Sequence, residues 1–260
     1  MKKIELIGTD GKRYCFLCKT SDDLRKDARV MEFCYMINNF LRKDPEARDR
    51  SLYIRTYAVI PLGHEWGLLQ WIDNLETLKL ITAREYEKHG IDYQKINRFI
   101  KEILPRQEYK DIFISKSNLF CLTFFLCYSF PCHLNNWFLD CFPEPSLWLA
   151  ARTRYTNTLA VMSIVGYVLG LGDRHAENIL FDRLSGDCIH VDLNMLFDKG
   201  SDLPVPEVVP FRLTQSLVDA LGVLGYKGKF EKSCRVTLRV LQENKESLLS
   251  VFETFVHDPV

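Results

Sequence analysis

The chain has 260 residues, enough for one large domain or for two lobes with separate cores. Hydrophobic residues make up 47% and charged residues 26%, which excludes a disordered or fibrous class. Thirty-four basic against 34 acidic side chains leave no net field, so nothing in the bulk charge recruits nucleic acid or an anionic membrane.

Nine cysteines, an odd number without framework-like spacing, point to reduced thiols in the cytosol or nucleus. Cys15 and Cys18 form a C-x-x-C, but on a strand they face opposite sides, and no second pair follows to complete a zinc site. Met1-Lys-Lys-Ile-Glu5 has no apolar signal segment, and no run is a convincing membrane span. A soluble intracellular protein is expected.

Lys2–Gly8 and Arg13–Lys19 alternate apolar and polar residues around Asp10-Gly11, a hairpin signal. An amphipathic helix is expected from Asp22 to about Leu41, with Ser21 as its N-cap and early acids at its positive end. Leu52–Leu62 is rich in β-branched and aromatic residues and reads as a strand stopped by Pro61. After a turn at 63–65 comes Trp66–Ile72, and then a helix from Leu75 to about His89.

Ser117 to Leu134 holds no Lys, Arg, Asp or Glu, yet it is too interrupted for a membrane helix. Its Phe, Leu, Ser, Pro and Cys are what a pyrimidine-rich intron end encodes, so a retained intron or a mis-set exon boundary is expected there. Leu147–Leu169 reads as two helical segments, the second, from Tyr155, apolar on nearly all sides and therefore a buried spine. From Met195 to Leu213, Pro204, Pro206 and Pro210 exclude a helix and stiffen an extended loop. Gln215–Leu221, Phe230–Gln242 and Ser247–Phe255 carry helical periodicity and read as scaffold.

The chemistry is concentrated in Gly170-Leu-Gly-Asp-Arg-His-Ala-Glu-Asn-Ile-Leu-Phe181 and Ile189-His-Val-Asp-Leu193. Asp173, His175 and Asn178 share six residues, and Asp192 follows a strand-forming stretch. Any one of them alone fits a salt-bridged turn or a structural histidine. Together they describe a polar loop entering a short hairpin, with two acids and an amide converging at its mouth. An Asp and an Asn suit Mg²⁺, which keeps waters and takes one or two carboxylates plus phosphates. A second Asp near an incoming hydroxyl suits phosphoryl transfer. The third glycine of a dinucleotide fingerprint is replaced by His175.

The order Gly-Asp-Arg-His-x-x-Asn followed by His-Val-Asp-Leu-Asn resembles the phosphatidylinositol 3-kinase-related protein kinases, which invert the His-Arg-Asp order of ordinary protein kinases. Asp23-Leu-Arg-Lys-Asp27, Arg55–Pro61, Asp192-Leu-Asn194 and Val209–Thr214 look most like the ATR checkpoint branch of that family. Leu193 stands where the family usually has Phe, and Asn194 where most kinases have Gly. The resemblance implies an α+β, two-lobed kinase fold, with a small sheet-plus-helix N-lobe over 1–70 and a larger helical C-lobe over 71–260.

It further implies that Lys19 meets the ATP phosphates, that Asp22 steadies it, and that Asp27 lies near the nucleotide. Gln70, Trp71 and Ile72 become the hinge whose backbone bonds adenine, with the Trp stacked on it. Asn178 and Asp192 would hold Mg²⁺, or Mn²⁺ in its place. Asp173 would accept the substrate proton, and His175 would stabilise the migrating phosphoryl. The implied substrates are Ser or Thr followed by Gln on proteins, in the nucleus, after DNA damage or stalled replication. An ATR-interacting regulatory partner and indirect recruitment to single-stranded DNA would involve regions outside this chain.

The family's phosphate-covering loop should precede Lys2 and its short C-terminal (FATC) element should follow Val260, so a fragment or incomplete gene model is expected. A lipid kinase of the same superfamily is the first alternative. It calls for a basic activation segment, whereas Asp198, Asp202 and Glu207 outnumber Lys199 and Arg212. A non-catalytic scaffold that kept the fold is the second.

Overall fold

The computed structural model describes residues 2–21, 23–92, 98, 132–203, 207 and 209–257. Asp22 and residues 117–131 of the charge-free run lie outside them. The architecture is α+β: a small antiparallel sheet with one long helix, followed by a larger helical part containing a second, three-stranded sheet.

The hairpin forms as its turn chemistry requires, β1 (Lys2–Ile7) pairing with β2 (Arg13–Thr20) around Gly11 at φ 75°. The first sheet runs β1-β2-β4-β3, with β4 at Trp66–Gln70 and β3 at Val59–Pro61. Pro61 ends the edge strand, where a missing N–H costs nothing.

Three expectations need correction in this part. Helix α1 spans Arg25–Lys43, later than Asp22, and its N-cap position is Leu24 rather than Ser21. Ser21 sits at φ 62°, and Asp23 spends its carboxylate on the Arg25 amide and guanidinium, so a local turn consumes the residues that would have capped. Of Leu52–Leu62 only the last third joins a sheet. The Asn38 side chain of α1 donates to the Ile54 carbonyl at 2.9 Å and accepts its N–H at 2.8 Å, replacing a neighbouring strand. Third, Leu75–Thr77 is a strand, β5, and only from Leu78 does α3 run to Lys88. Helix α2 (Pro45–Asp49) is a short turn capped by Asp44.

The second sheet runs β5-β6-β7, with β6 at Ile179–Asp182 and β7 at Cys188–His190. Helix α4 (Leu134–Cys141) begins at the last residue of the charge-free run. Leu134 is buried there, so this residue belongs to the fold. The expected pair of helices over 147–169 is one, α5 (Pro145–Leu169), opened by Pro145 and closed by Gly170 at φ 56°. No proline interrupts the helix after Pro145, Gly166 is accommodated within it, and most residues from Tyr155 onward are buried, so the spine is real.

Helix α5 divides two cores. Met162, Val165 and Leu169 pack with Phe33, Ile37 and Leu41 of α1, whereas Tyr155 and Leu159 pack with Trp137, Phe138 and Phe181. Each such side chain contributes roughly 1.5–3 kcal/mol on full burial. In the first core burial pushes the Cys34 thiol up to about 12, which leaves it inert. A single 3₁₀ turn at Lys199–Asp202 precedes the proline-rich stretch. Helices α6 (Gln215–Ala220), α7 (Lys229–Glu243) and α8 (Lys245–His257) complete the chain near their expected bounds. No helix among the described residues is long and apolar enough to cross a membrane.

Candidate active site

The register of the second sheet brings the two motifs together. Ile179 pairs with His190, so the residues before β6 and after β7 emerge at the same end, and the Val191 N–H donates to the Asn178 carbonyl at 3.1 Å. Asp173 and Asp192 both sit at φ 58°, a conformation that costs a non-glycine residue free energy and must be held by its surroundings.

Those surroundings are explicit. The Asn178 side chain donates through Nδ2 to the Asp173 carbonyl at 2.9 Å, which leaves its Oδ1 as an acceptor. His175 Nδ1 accepts the Glu177 N–H at 3.1 Å, so the neutral ring carries its proton on Nε2, 3.9 Å from Asp173 Oδ2. Arg174 is buried and donates to the carbonyls of Gly172 (2.9 Å), Val191 (2.8 Å) and Asp192, tying the loop to the strand exit. Burial pushes its pKa down and the nearby carboxylates of Asp192 and Asp173 push back.

From the other sheet, β2 delivers Lys19 to within 3.5 Å of Asp192 Oδ1. That oxygen is buried and accepts no hydrogen bond among the described residues. Asp27 of α1 accepts the Leu193 N–H at 2.8 Å, which fixes the long helix to the residue after Asp192. Of the residues read as phosphate- and metal-binding, Lys19, Asp27, Asn178 and Asp192 thus line one cavity of about 390 Å³, a ligand-sized volume.

The same cavity is lined by Gln70, Trp71 and Ile72, with Leu17, Leu69, Leu180 and Val191 as apolar contributors. The three strap residues are not equivalent. Gln70 bonds Ala58 through its N–H (2.8 Å) and its side-chain Oε1 (2.9 Å), which keeps its carbonyl out of the ladder. The Trp71 N–H is spent on the Cys15 carbonyl at 2.9 Å and its indole N–H on Asp73 at 2.9 Å. The Ile72 N–H has no partner among the described residues. A ligand edge therefore finds the Gln70 carbonyl and the Ile72 amide. Tyr57 also lines the cavity, with a buried hydroxyl that makes no hydrogen bond among the described residues and a pKa raised by burial first and Asp27 second. A larger cavity, about 1020 Å³ and lined by Arg50, Arg55, Arg154 and Lys229, holds none of these groups. Chemistry, not size, selects the site.

Residues 13–260 match the family model described as phosphatidylinositol 3- and 4-kinase. The chain belongs to that family. This kinase domain is 50% identical over 264 residues to the serine/threonine-protein kinase ATR of Arabidopsis thaliana, covering 100% of this chain and 9% of that protein. It is 49% identical to the protein kinase rad3 of Schizosaccharomyces pombe, covering 100% of this chain and 11% of the relative. Among solved structures, the FAT and kinase domain of CtTel1 superposes with a TM-score of 0.83 at 34% identity, covering 99% of this chain and 18% of that one. The chain thus spans about a tenth of the curated relatives it matches.

Within this kinase domain the donor set fits a divalent cation. Asp192 Oδ1, which accepts no hydrogen bond among the described residues, and the Oδ1 of the buried Asn178 are hard oxygens on residues that line the cavity, and phosphate oxygens would supply the rest. Two residues that hold the site were not singled out from the sequence. In the sequence Arg174 reads as part of a capped, salt-bridged turn, and only the fold reveals the three carbonyls it serves. Glu207 counts in the sequence only as one acid in the charge balance of residues 198–212. Its partners lie more than thirty positions away, beyond any local pattern.

Proposed function

We propose that this domain is the catalytic part of an ATP-dependent serine/threonine protein kinase that phosphorylates Ser or Thr followed by Gln. The observation that carries the reading is the buried Asp192 oxygen paired with Lys19 at 3.5 Å in a cavity that Asn178 and the 70–72 strap also line. The identity of about 50% to proteins named ATR and rad3 supports a protein substrate over a lipid.

On this reading residues 1–70 form the N-lobe, 71–260 the C-lobe, and 70–72 the hinge. The Gln70 carbonyl and Ile72 amide bond the adenine edge, and the exposed Trp71 ring flanks it. Lys19 holds the ATP phosphates, with Asp27 nearby. Asn178 and Asp192 hold Mg²⁺, which when bound offsets phosphate charge. Asp173 orients the substrate hydroxyl and accepts its proton. His175 donates from Nε2 toward the migrating phosphoryl. Catalysis is mainly positioning and electrostatics. Nuclear residence, a checkpoint role in DNA damage and replication stress, and recruitment to single-stranded DNA through a regulatory partner belong to the full-length protein.

The test separates binding from chemistry. In the full-length protein, ATP with Mg²⁺ should raise the melting temperature of wild type and of Asp173→Ala, and not of Asp192→Ala. Both variants should lose phosphate transfer by roughly 10²-fold or more. Loss of the nucleotide-induced shift in Asp173→Ala as complete as in Asp192→Ala would overturn these roles.

A further inference from the structure

Asp173 needs an outside restraint to stay at φ 58°, and Glu207 supplies it. Glu207 Oε2 accepts the Asp173 N–H at 2.8 Å, and Oε1 accepts the Arg174 N–H at 3.2 Å. Two successive amides pointing the same way form an anion-binding concavity, here filled by a side chain of the same molecule. Glu207 is itself anchored, since its N–H donates to the Gly200 carbonyl at 3.0 Å. The slot exists because two glycines leave it open. A Cβ on Gly200 would lie 2.5 Å from Glu207 Oε2, and one on Gly172 would lie 3.0 Å from it. The Asp173 peptide is therefore gripped at both ends, its amide by Glu207 and its carbonyl by Asn178.

We infer that Glu207 is a positioning residue, a latch that sets the main chain of Asp173 for proton acceptance. The inference rests on the role proposed for Asp173. With the latch engaged, the Asp173 side chain projects from a backbone held at its amide and its carbonyl. With it released, two amides lose their acceptor and the strained φ can relax, so the proton acceptor is correctly placed only when Glu207 is seated. Release needs no unpacking of the core. A cavity of about 330 Å³ lies beside Glu207, bounded by Tyr167, Ser201 and Pro210, into which the carboxylate can swing.

The experiment uses the full-length protein, ATP and a Ser-Gln peptide. Glu207→Gln keeps the shape but turns an NH₂ group toward one of the two amide donors. It should lower kcat by about 10- to 100-fold, because small displacements of a reacting group are costly. KM for ATP and the melting temperature should stay at wild-type values, since Lys19, Asn178 and Asp192 are untouched. Gly200→Ala should have the same effect, as its Cβ displaces Oε2 while Gly200 itself sits at an ordinary φ. The double variant should be no worse than either single one, the mark of a shared step. An unchanged kcat in Glu207→Gln would overturn the latch. So would a loss of kcat matched by a loss of ATP affinity or of melting temperature, or multiplicative losses in the double variant. Failure of the wild type to label the peptide, or full activity in Asp173→Ala, would instead refute the reading on which the latch rests.

Discussion

Arg174 carries a charge into the interior, and its hydrogen bonds go to main-chain carbonyls rather than to a carboxylate. A planar fork of donors is what lets one side chain satisfy Gly172, Val191 and Asp192 together; a lysine ammonium cannot span them. Arg174→Ala leaves three carbonyls without that partner, and at roughly 1–3 kcal/mol each the loss should reach about 3 kcal/mol or more. Urea unfolding of the variant against wild type measures it, and a change below about 1 kcal/mol would mean that water replaces the guanidinium. The sequence made Asp173, His175, Asn178 and Asp192 visible because four chemistry-bearing residues lie within twenty positions. Arg174 stands in the same motif yet was legible only as a salt-bridged turn, since spacing does not say whether a charge is buried. Glu207 had no local signal at all.

At the scale of elements, β5 is the piece that periodicity assigned to the wrong class. Leu75–Thr77 continues smoothly into the helical pattern of α3, and three residues are too few for alternation to declare a strand. What makes them a strand is non-local: the ladder to β6, and Glu76, whose carboxylate binds the Arg84 fork at 2.7 and 3.1 Å and the Trp137 indole N–H at 2.9 Å. Arg84 first, and then Trp137, hold the Glu76 carboxyl below its ordinary 4.5. Its contribution to stability is therefore complete above pH 4.5 and is lost as pH falls through the lower folded-state value. Glu76→Gln should cost about 1–2 kcal/mol at pH 7 and show a shallower decline below pH 4.5 than wild type. Urea midpoints at pH 7 and below pH 4.5 test this, and parallel declines would show that Glu76 is not the linked group. The segment 52–58 gives the same lesson, since its β-rich composition is genuine but its partner is a helix side chain, Asn38.

Across the whole molecule, two long-range ties bring the two sheets and α1 to one cavity, and a third holds the loop that Asn178 ties to it. Lys19 reaches Asp192, Asp27 reaches the Leu193 amide, and Glu207 reaches the amides of Asp173 and Arg174. The α+β class and the order of the large elements were legible because long apolar stripes and the Asp-Gly turn are local signals. The merging of two helical segments into α5 was not, because a helix buried on nearly all sides shows little periodicity to mark its true ends. Convergence on one cavity makes a specific claim about chemistry, that a phosphoryl group leaves ATP for a protein hydroxyl under the control of Asp173. The most direct measurement supplies the full-length protein with γ-labelled ATP, Mg²⁺ and three acceptors in parallel: a Ser-Gln peptide, its Ser-Ala counterpart, and phosphatidylinositol vesicles. The account predicts label in the Ser-Gln peptide well above the Ser-Ala peptide, none in the lipid, and none anywhere with Asp173→Ala. Label entering the lipid as fast as the peptide, or peptide labelling that survives Asp173→Ala, would contradict it.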